Sequence, residues 1–466
     1  MGKQIIRGKD LRRIDYSSNK TIAMAIDIAK KHLKHYTKDE QLQKLKEVKE
    51  NFDHYLDDEV YGPVAMSFKT IPEPGKRAEI ALNAECADYR VFGRKHISSN
   101  AMNQMDVAMK LPVVVNGALM PDAHQGYGLP IGGVLAAKNA VMPYGVGLDI
   151  GCRMSLTLYD ADDRYLKKHQ YKFKTALKEW TNFGNGGELN FRQEHDVLDR
   201  REFTETDLLR KLHGKAVRQL GTSGSGNHFV EFGMVEITSV IHGVEEGHYL
   251  GLLAHSGSRG LGASIAKFYT DIARSKCLLP RVAQNLAWLD LNTEEGQEYW
   301  ISMNLAGDYA RACHDRIHEN LAKYLGLKSI RKIENHHNFA WKETIGCDEL
   351  IVHRKGATPA GEGILGIIPG SMTEPGYIVK GLGNNDSLMS AAHGAGRKLS
   401  RTKAKASITG SELKKQVSRA GITLIGGGPD EAPMAYKDVN QVMQAQTDLV
   451  ETVGKFYPKI VRMDKR

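Results

Sequence analysis

Five segments of this 466-residue chain concentrate side chains able to bind metal or attack an electrophile: PDAHQGYGLPIGG (121–133), VGLDIGCRM (146–154), GTSGSGNHFVEFG (221–233), AHSGSRGLG (254–262) and NHHNFAW (335–341). Within them, Asp149 and Cys152 form an Asp-x-x-Cys pair in a glycine-flanked turn, which can aim a carboxylate and a thiolate at one point. A thiolate can bridge two metals, whereas a carboxylate favours a harder ion. His228, His255 and His337 each fall at an expected strand-to-loop junction. Together the five make a two-metal ligand set suited to phosphoryl chemistry, because two ions can clamp attacking and leaving oxygens. A buried structural cysteine and ordinary polar histidines are the plainer reading, and no HxH or HExxH pair decides between them.

Two further segments follow, HRKGATPA (353–360) leading to GIIPGSM (366–372), and AAHGAGRKLSR (391–401). In the second, Gly394 and Gly396 free backbone amides while Arg397 and Lys398 add positive charge, as in an anion cradle. The spacing is not the GxxxxGK[ST] of a P-loop. His393 at its head is a candidate nucleophile, since imidazole can hold a phosphoryl group as a phosphoramidate. No Lys-x-Asp-Gly signature occurs, which leaves a lysine-adenylate route unsupported.

The elements that must position these residues are read from glycine and apolar spacing. Only five of the 47 glycines lie in the first 100 residues. That stretch predicts amphipathic helices, with Ile22, Ile26, Ala29, Leu33 and Tyr36 on one apolar face and Leu42, Leu45, Val48, Phe52 and Tyr55 on another. From about residue 111, short apolar runs alternate with glycine-rich turns, a pattern repeated at 221–262 and 350–430. Charged helical segments interrupt it at about 161–218 and 295–326. The expected class is α+β: one large domain with glycine-rich loops, helical insertions on its periphery, and a helical extension over 1–90 preceding a catalytic domain over 91–466.

Composition sets wider bounds. Sixty-four Lys and Arg against 55 Asp and Glu give +9, a mild pointer to a polyanionic partner. Five scattered cysteines form no CxxC pair and predict reduced thiols. No apolar run reaches bilayer-spanning length, and the N-terminal sequence lacks a secretory apolar core. A cytoplasmic, monomeric protein without membrane contact is expected.

In their order, the seven segments resemble the RtcB-type RNA-splicing ligases from about residue 90 to 440. The resemblance implies a single α+β catalytic domain around a deep metal site. It implies a GTP- and Mn2+-dependent ligase joining RNA 3′-phosphate or 2′,3′-cyclic phosphate ends to 5′-hydroxyl ends, acting on broken tRNA, rRNA or mRNA in repair or splicing. It assigns Asp149, Cys152 and His228 to one manganese ion, and Cys152, His255 and His337 to a second. His393 is implied as the residue that accepts GMP. Asn227, His228, Glu231, His337, Asn338, Pro369, Gly370, Ser371, Met372, His393, Gly394, Ala395 and Gly396 are implied around the guanylate. Two positions depart from the family pattern. Gly376 stands where a nucleotide-touching serine is usual, and the guanine-recognising lysine aligns with Lys465 only by a shift, with Arg462 competing. The basic residues Arg94, Lys95, Arg153, Arg259, Arg354 and Lys355 are expected around the mouth for RNA phosphates. A metal-dependent RNA-end phosphodiesterase or phosphatase is the alternative function, needing neither GTP nor His393.

Overall fold

The computed structural model describes residues 6–16, 19–69 and 78–465. It divides into two compact units, Met1–Ala78 and Glu79–Arg466, so residues 79–90 fold with the second unit.

In the first unit, helices Asn19–His32 and Lys38–Glu50 are followed by a shorter helix, Gly62–Lys69. Thr37 caps the second through a capping box with Glu40. Ile22, Ala29, Leu33, Leu45 and Val48 meet in a core with Leu11, Tyr16 and Val64. Tyr36 departs from expectation. The helix stops at His32, and Tyr36 sits in the following turn, 56% exposed, where helical periodicity no longer governs its direction.

The second unit is built on an eight-stranded sheet. Its main path runs Leu365–Ile368, Gly376–Gly381, Val450–Met463, Phe229–Ile237, Gly247–Ser256, Arg153–Tyr159 and Ser329–His336, with Thr423–Ile425 beside Val450–Met463. The two end strands are tied by Asn335. Its amide donates to the Ile367 carbonyl at 3.3 Å and accepts from the Ile367 N–H at 2.8 Å, leaving a nearly closed barrel. A five-stranded sheet, in the order Tyr89–Val91, Val114–His124, Ile131–Ala137, Asp348–Lys355 and Asn338–Ile345, lies alongside.

The helix expected over 295–326 is Glu294–Leu325, capped by Thr293 and stopped by Gly326 in the left-handed region. It is not peripheral. Tyr299, Met303, Ala306, Tyr309, Ala310, Cys313 and Ile317 are fully buried, and small residues such as Ala306 and Gly307 let the Gly151 turn approach closely. Its many charges occupy the positions between, which disguises a core helix as an insertion. The 161–218 segment contains helices Asp163–Lys168, Gln170–Trp180 and Asp207–Gln219. Among the described residues, no helix is long and apolar enough to cross a membrane.

Candidate active site

Register brings the proposed metal ligands together. His255 pairs with Phe229 on one side and Met154 on the other, while Arg153 pairs with both Ser256 and His336. Residues just beyond the ends of adjacent strands therefore converge: Cys152 before one, His228 before another, His337 after a third. The His337 N–H donates to the Cys152 carbonyl at 3.0 Å, locking two of these ends. The Asp149 turn fits against Gly257, where a Cβ would fall 1.8 Å from Asp149 Oδ1. Only glycine leaves room for the carboxylate there.

Cys152 Sγ lies 3.1 Å from His255 Nε2 and 3.5 Å from His228 Nε2. His228 Nε2 is 2.9 Å from Asp149 Oδ2, and His255 Nε2 is 3.2 Å from His337 Nε2. His255 faces the Asn227 carbonyl through Nδ1 at 3.1 Å, which leaves its Nε2 lone pair aimed into the cluster. Burial pushes His255 down to about 3, and burial with the neighbouring His393 pushes His337 well below the ordinary imidazole range, so both rings are neutral. Burial raises Asp149, but His228 beside it wins and holds the carboxyl at about 2. Burial, then the Asp149 charge, pushes the Cys152 thiol well up. Neutral imidazoles, a carboxylate and a sulfur crowded at these distances match the donor set of a metal centre. The buried Cys152, His228 and His255 group has the donor chemistry to hold one, and metal binding would release the thiol proton.

His393 follows strand Ser390–Ala392 and reaches the same cluster, its ring centroid 5.0 Å from that of His337. Its Nδ1 lies 2.6 Å from Oδ2 of Asp122, a carboxylate with no exposed surface. A carboxylate can only accept, so Nδ1 donates to it, and the neutral form of the ring keeps its lone pair on Nε2. Gly396, at φ +73°, lets its loop pass the Asp122 carbonyl where a Cβ would fall 2.1 Å away. Asp122 lies inside a segment rich in candidate ligands, yet nothing local linked it to a histidine 271 positions away.

A cavity opens beside His393. Its lining brings together Asn227, Glu231, Pro369, Gly370, Ser371, Met372, His393, Gly394, Ala395 and Gly396, ten of the residues expected around a guanylate, with Phe229, Arg401, Glu431, Tyr436, Val461 and Met463. Its floor is one face of the sheet. Val461 pairs with Glu231 and Met463 with Phe229, and the period of two puts all four on the same side. Glu231 is buried, and burial raises its carboxyl to about 8. Arg401 Nη2 lies 3.2 Å from Glu431 Oε1 and 3.4 Å from Asn227 Oδ1, and Arg397 pairs with Glu431 at 3.0 Å while stacking on Tyr436. Arg401 and Glu431 were missed, since a helix-start arginine and a glutamate 30 residues later carry no local signal.

Several expected residues stand elsewhere. Arg462 lies on the opposite face of its strand from Val461 and Met463, bonded to the Leu177 carbonyl and stacked over Phe183. Lys465 is exposed beyond the strand end, outside the cavity lining. Gly376 is buried at the start of its strand against Phe456, also outside the lining. Asn338 does not line the cavity either; its amide donates to the Asp149 carbonyl and accepts from the Gly356 N–H, bracing the metal-side turn. Of the expected mouth cations, Arg94 and Lys95 are exposed, but Arg153, Arg259, Arg354 and Lys355 are buried. Arg354 forks onto Glu343 and also bonds Ser390 Oγ and the Leu388 carbonyl, so it clamps the strand leading to His393.

The sequence has known relatives. The family model for the tRNA-splicing ligase RtcB matches residues 104–464. The chain belongs to the RtcB family. It is 32% identical to the RNA-splicing ligase RtcB of Escherichia coli K12 over 387 residues, 77% of this chain and 92% of that protein. It is 31% identical to the tRNA-splicing ligase RtcB of Thermococcus kodakarensis, over 79% of this chain and 94% of the relative. The Mycobacterium bovis RNA-splicing ligase RtcB is 30% identical, over 77% of this chain and 99% of its own. The RtcB match begins beyond the first unit, which ends at Ala78.

Proposed function

We propose that the protein is an RNA ligase that seals 3′-phosphate or 2′,3′-cyclic phosphate ends to 5′-hydroxyl ends at the expense of GTP. The observation that carries this reading is His393: its Nδ1 is held by the buried Asp122, and its Nε2 lone pair is free at the junction of the metal-ligand cluster and the cavity. A hydrolase using the cluster alone would have no need of a so oriented imidazole.

In the proposed sequence, His393 Nε2 attacks the α-phosphorus of GTP; the P–N bond forms, the α–β P–O bond breaks, and pyrophosphate leaves. Asp122 stabilises the positive charge that develops on the ring. An oxygen of the RNA 3′-phosphate then attacks the same phosphorus, the P–N bond breaks, and the guanylate passes to RNA as an activated RNA-ppG end. The 5′-hydroxyl attacks the RNA phosphate, GMP leaves, and the hydroxyl proton passes to solvent. A cyclic phosphate is first opened by water to the 3′-phosphate. Backbone amides of 394–396 and the Arg401 guanidinium line the cavity and would supply donors to phosphoryl oxygens bound there. Glu231, at the cavity floor, offers acceptors for the N1–H and 2-amino group of guanine.

Asp149, Cys152 and His228 would hold one metal ion, and Cys152, His255 and His337 a second, with manganese the implied metal. Bound there, the ions would supply Lewis-acid stabilisation of phosphoryl charge.

Incubation with α-labelled GTP and Mn2+ tests the reading. Acid-labile label should remain on the wild-type protein and be absent from His393→Ala. Label persisting on that variant sinks the nucleophile assignment.

A further inference from the structure

The first unit lies outside the RtcB match and carries a surface that the chemistry above does not use. Residues 30–38 read KKHLKHYTK, with four lysines, two histidines and no acid; residues 53–59, DHYLDDE, hold four acids and no lysine or arginine. These two stretches carry opposite charge within a unit that has its own apolar core.

Most lysines here are matched to acids. Lys31 pairs with Asp27, Lys38 with Asp10, Lys44 with Glu47, Lys46 with Glu50 and Lys49 with Asp15. Lys30, Lys34 and His35 are exposed, and their side chains make no ion pair or hydrogen bond among the described residues. Lys30, in the last helical turn, gains from the helix dipole. Lys34, His35 and Tyr36 lie past the helix end and gain nothing from it. Tyr36 adds an aromatic ring, 56% exposed, to the same turn, although the residues around it bury their apolar neighbours well. Helix stability accounts for Lys30 but for neither Lys34 nor the exposed ring.

We propose that the turn joining Asn19–His32 to Lys38–Glu50 is a docking surface for single-stranded RNA, with Lys30 and Lys34 against phosphates and the Tyr36 ring stacked on an unpaired base. The occupant follows from the chemistry: unmatched ammonium groups favour a polyanion, and an exposed ring in the turn that carries Lys34 selects one with free base faces. A duplex, whose bases are already stacked, or an acidic protein, which has none, leaves the ring unused. This rests on the reading that the chain acts on RNA ends. Tethering an RNA-gripping turn to the ligase raises the local concentration of a broken strand.

The test uses full-length protein and a labelled single-stranded RNA of about 20 nucleotides, followed by fluorescence anisotropy at several salt concentrations. The double variant Lys30→Glu/Lys34→Glu should bind about tenfold or more weakly and lose about 1.4 from the log–log salt slope, two single-strand phosphate contacts. Tyr36→Ala should bind about tenfold more weakly with the slope unchanged. All three positions are exposed, so each variant should stay folded; Tyr36→Ala should match the wild-type unfolding temperature, and the double variant should fall only by the helix-dipole gain that Lys30 gives up. Labelling by GTP without RNA should also match. Wild-type affinity in both variants overturns the proposal, as does a wild type that binds no RNA. A wild type that takes no GMP yet loses RNA in both variants refutes the ligase reading and leaves the docking surface standing.

Discussion

Glu231 offers the most quantitative test of the nucleotide cavity. Its carboxyl is buried on the sheet face that floors the cavity, and burial raises it from the ordinary 4.5 to about 8. In the free protein at neutral pH it is therefore protonated. Guanine presents two donors, N1–H and the 2-amino group, which are best met by an ionised carboxylate. If Glu231 meets guanine as proposed, binding GTP releases the Glu231 proton. The sign follows directly: below about 8 the free protein holds a proton that the complex does not, so raising pH strengthens binding until about 8, where the effect levels off. Ionising the group costs about 1.4 kcal/mol at pH 7 and about twice that at pH 6. Between pH 8.5 and pH 6, affinity for GTP should fall on the order of 10²-fold. Glu231→Gln cannot ionise and presents an N–H towards one guanine donor. At pH 8.5 it should bind about 10- to 100-fold more weakly than Glu231, the worth of a charged hydrogen bond. At pH 6 the two affinities should converge. Titration calorimetry in a His393→Ala background keeps chemistry out of the measurement, and the ratio between the two proteins cancels titration of the nucleotide phosphates. A ratio independent of pH would refute the assignment of Glu231 to guanine, or the burial argument beneath it.

Other perturbations probe the rest of the site. Asp122→Asn keeps the shape but no longer fixes the proton on His393 Nδ1; the rate of protein guanylylation should fall by at least about 10²-fold while GTP affinity changes little, read by quench-flow labelling beside calorimetry. Cys152→Ala removes the sulfur that touches both histidine pairs, so metal content measured by elemental analysis should drop at both sites; retention of two ions would contradict the shared ligand. Gly257→Ala drives a Cβ into Asp149 Oδ1, and should weaken metal binding while leaving the cavity lining intact, which GTP affinity would report. Arg354→Met leaves Glu343 and Ser390 without their buried partner and should lower stability by about 3–5 kcal/mol in urea unfolding.

The side-chain cluster was legible in the sequence because its members sit in short glycine-rich segments whose residue types have few other uses together. Cys152, His228, His255 and His337 meet because strand register carries them there, and a run of apolar residues ending in a histidine is visible in one dimension. What stayed hidden depends on contacts between distant segments. Asp122 and His393, or Arg401 and Glu431, become partners only through the fold. Lys465 and Arg462 show the opposite failure: a motif-level alignment offered them, and the alternation of Val461 and Met463 along the strand turned Arg462 away. The long helix Glu294–Leu325 read as peripheral because its charges are frequent, although its apolar and small residues wrap enough of its surface to be buried. Tyr36 fell off the predicted apolar stripe because the helix ended four residues earlier.

The place of strand Val450–Met463 in the sheet has a consequence for biosynthesis. It sits between Gly376–Gly381 and Phe229–Ile237, and it is the last of the sheet's strands in chain order. A chain emerging from the ribosome therefore holds two open strand edges until residue 463 is clear of the tunnel. Until then the cavity beside His393 lacks Val461 and Met463 from its floor, so a nascent chain carries the Cys152, His228 and His255 cluster and His393 without a finished cavity. Those unpaired edges are also where a stalled or truncated product would recruit foreign strands, which makes the final strand the step that separates an active ligase from an aggregation-prone intermediate.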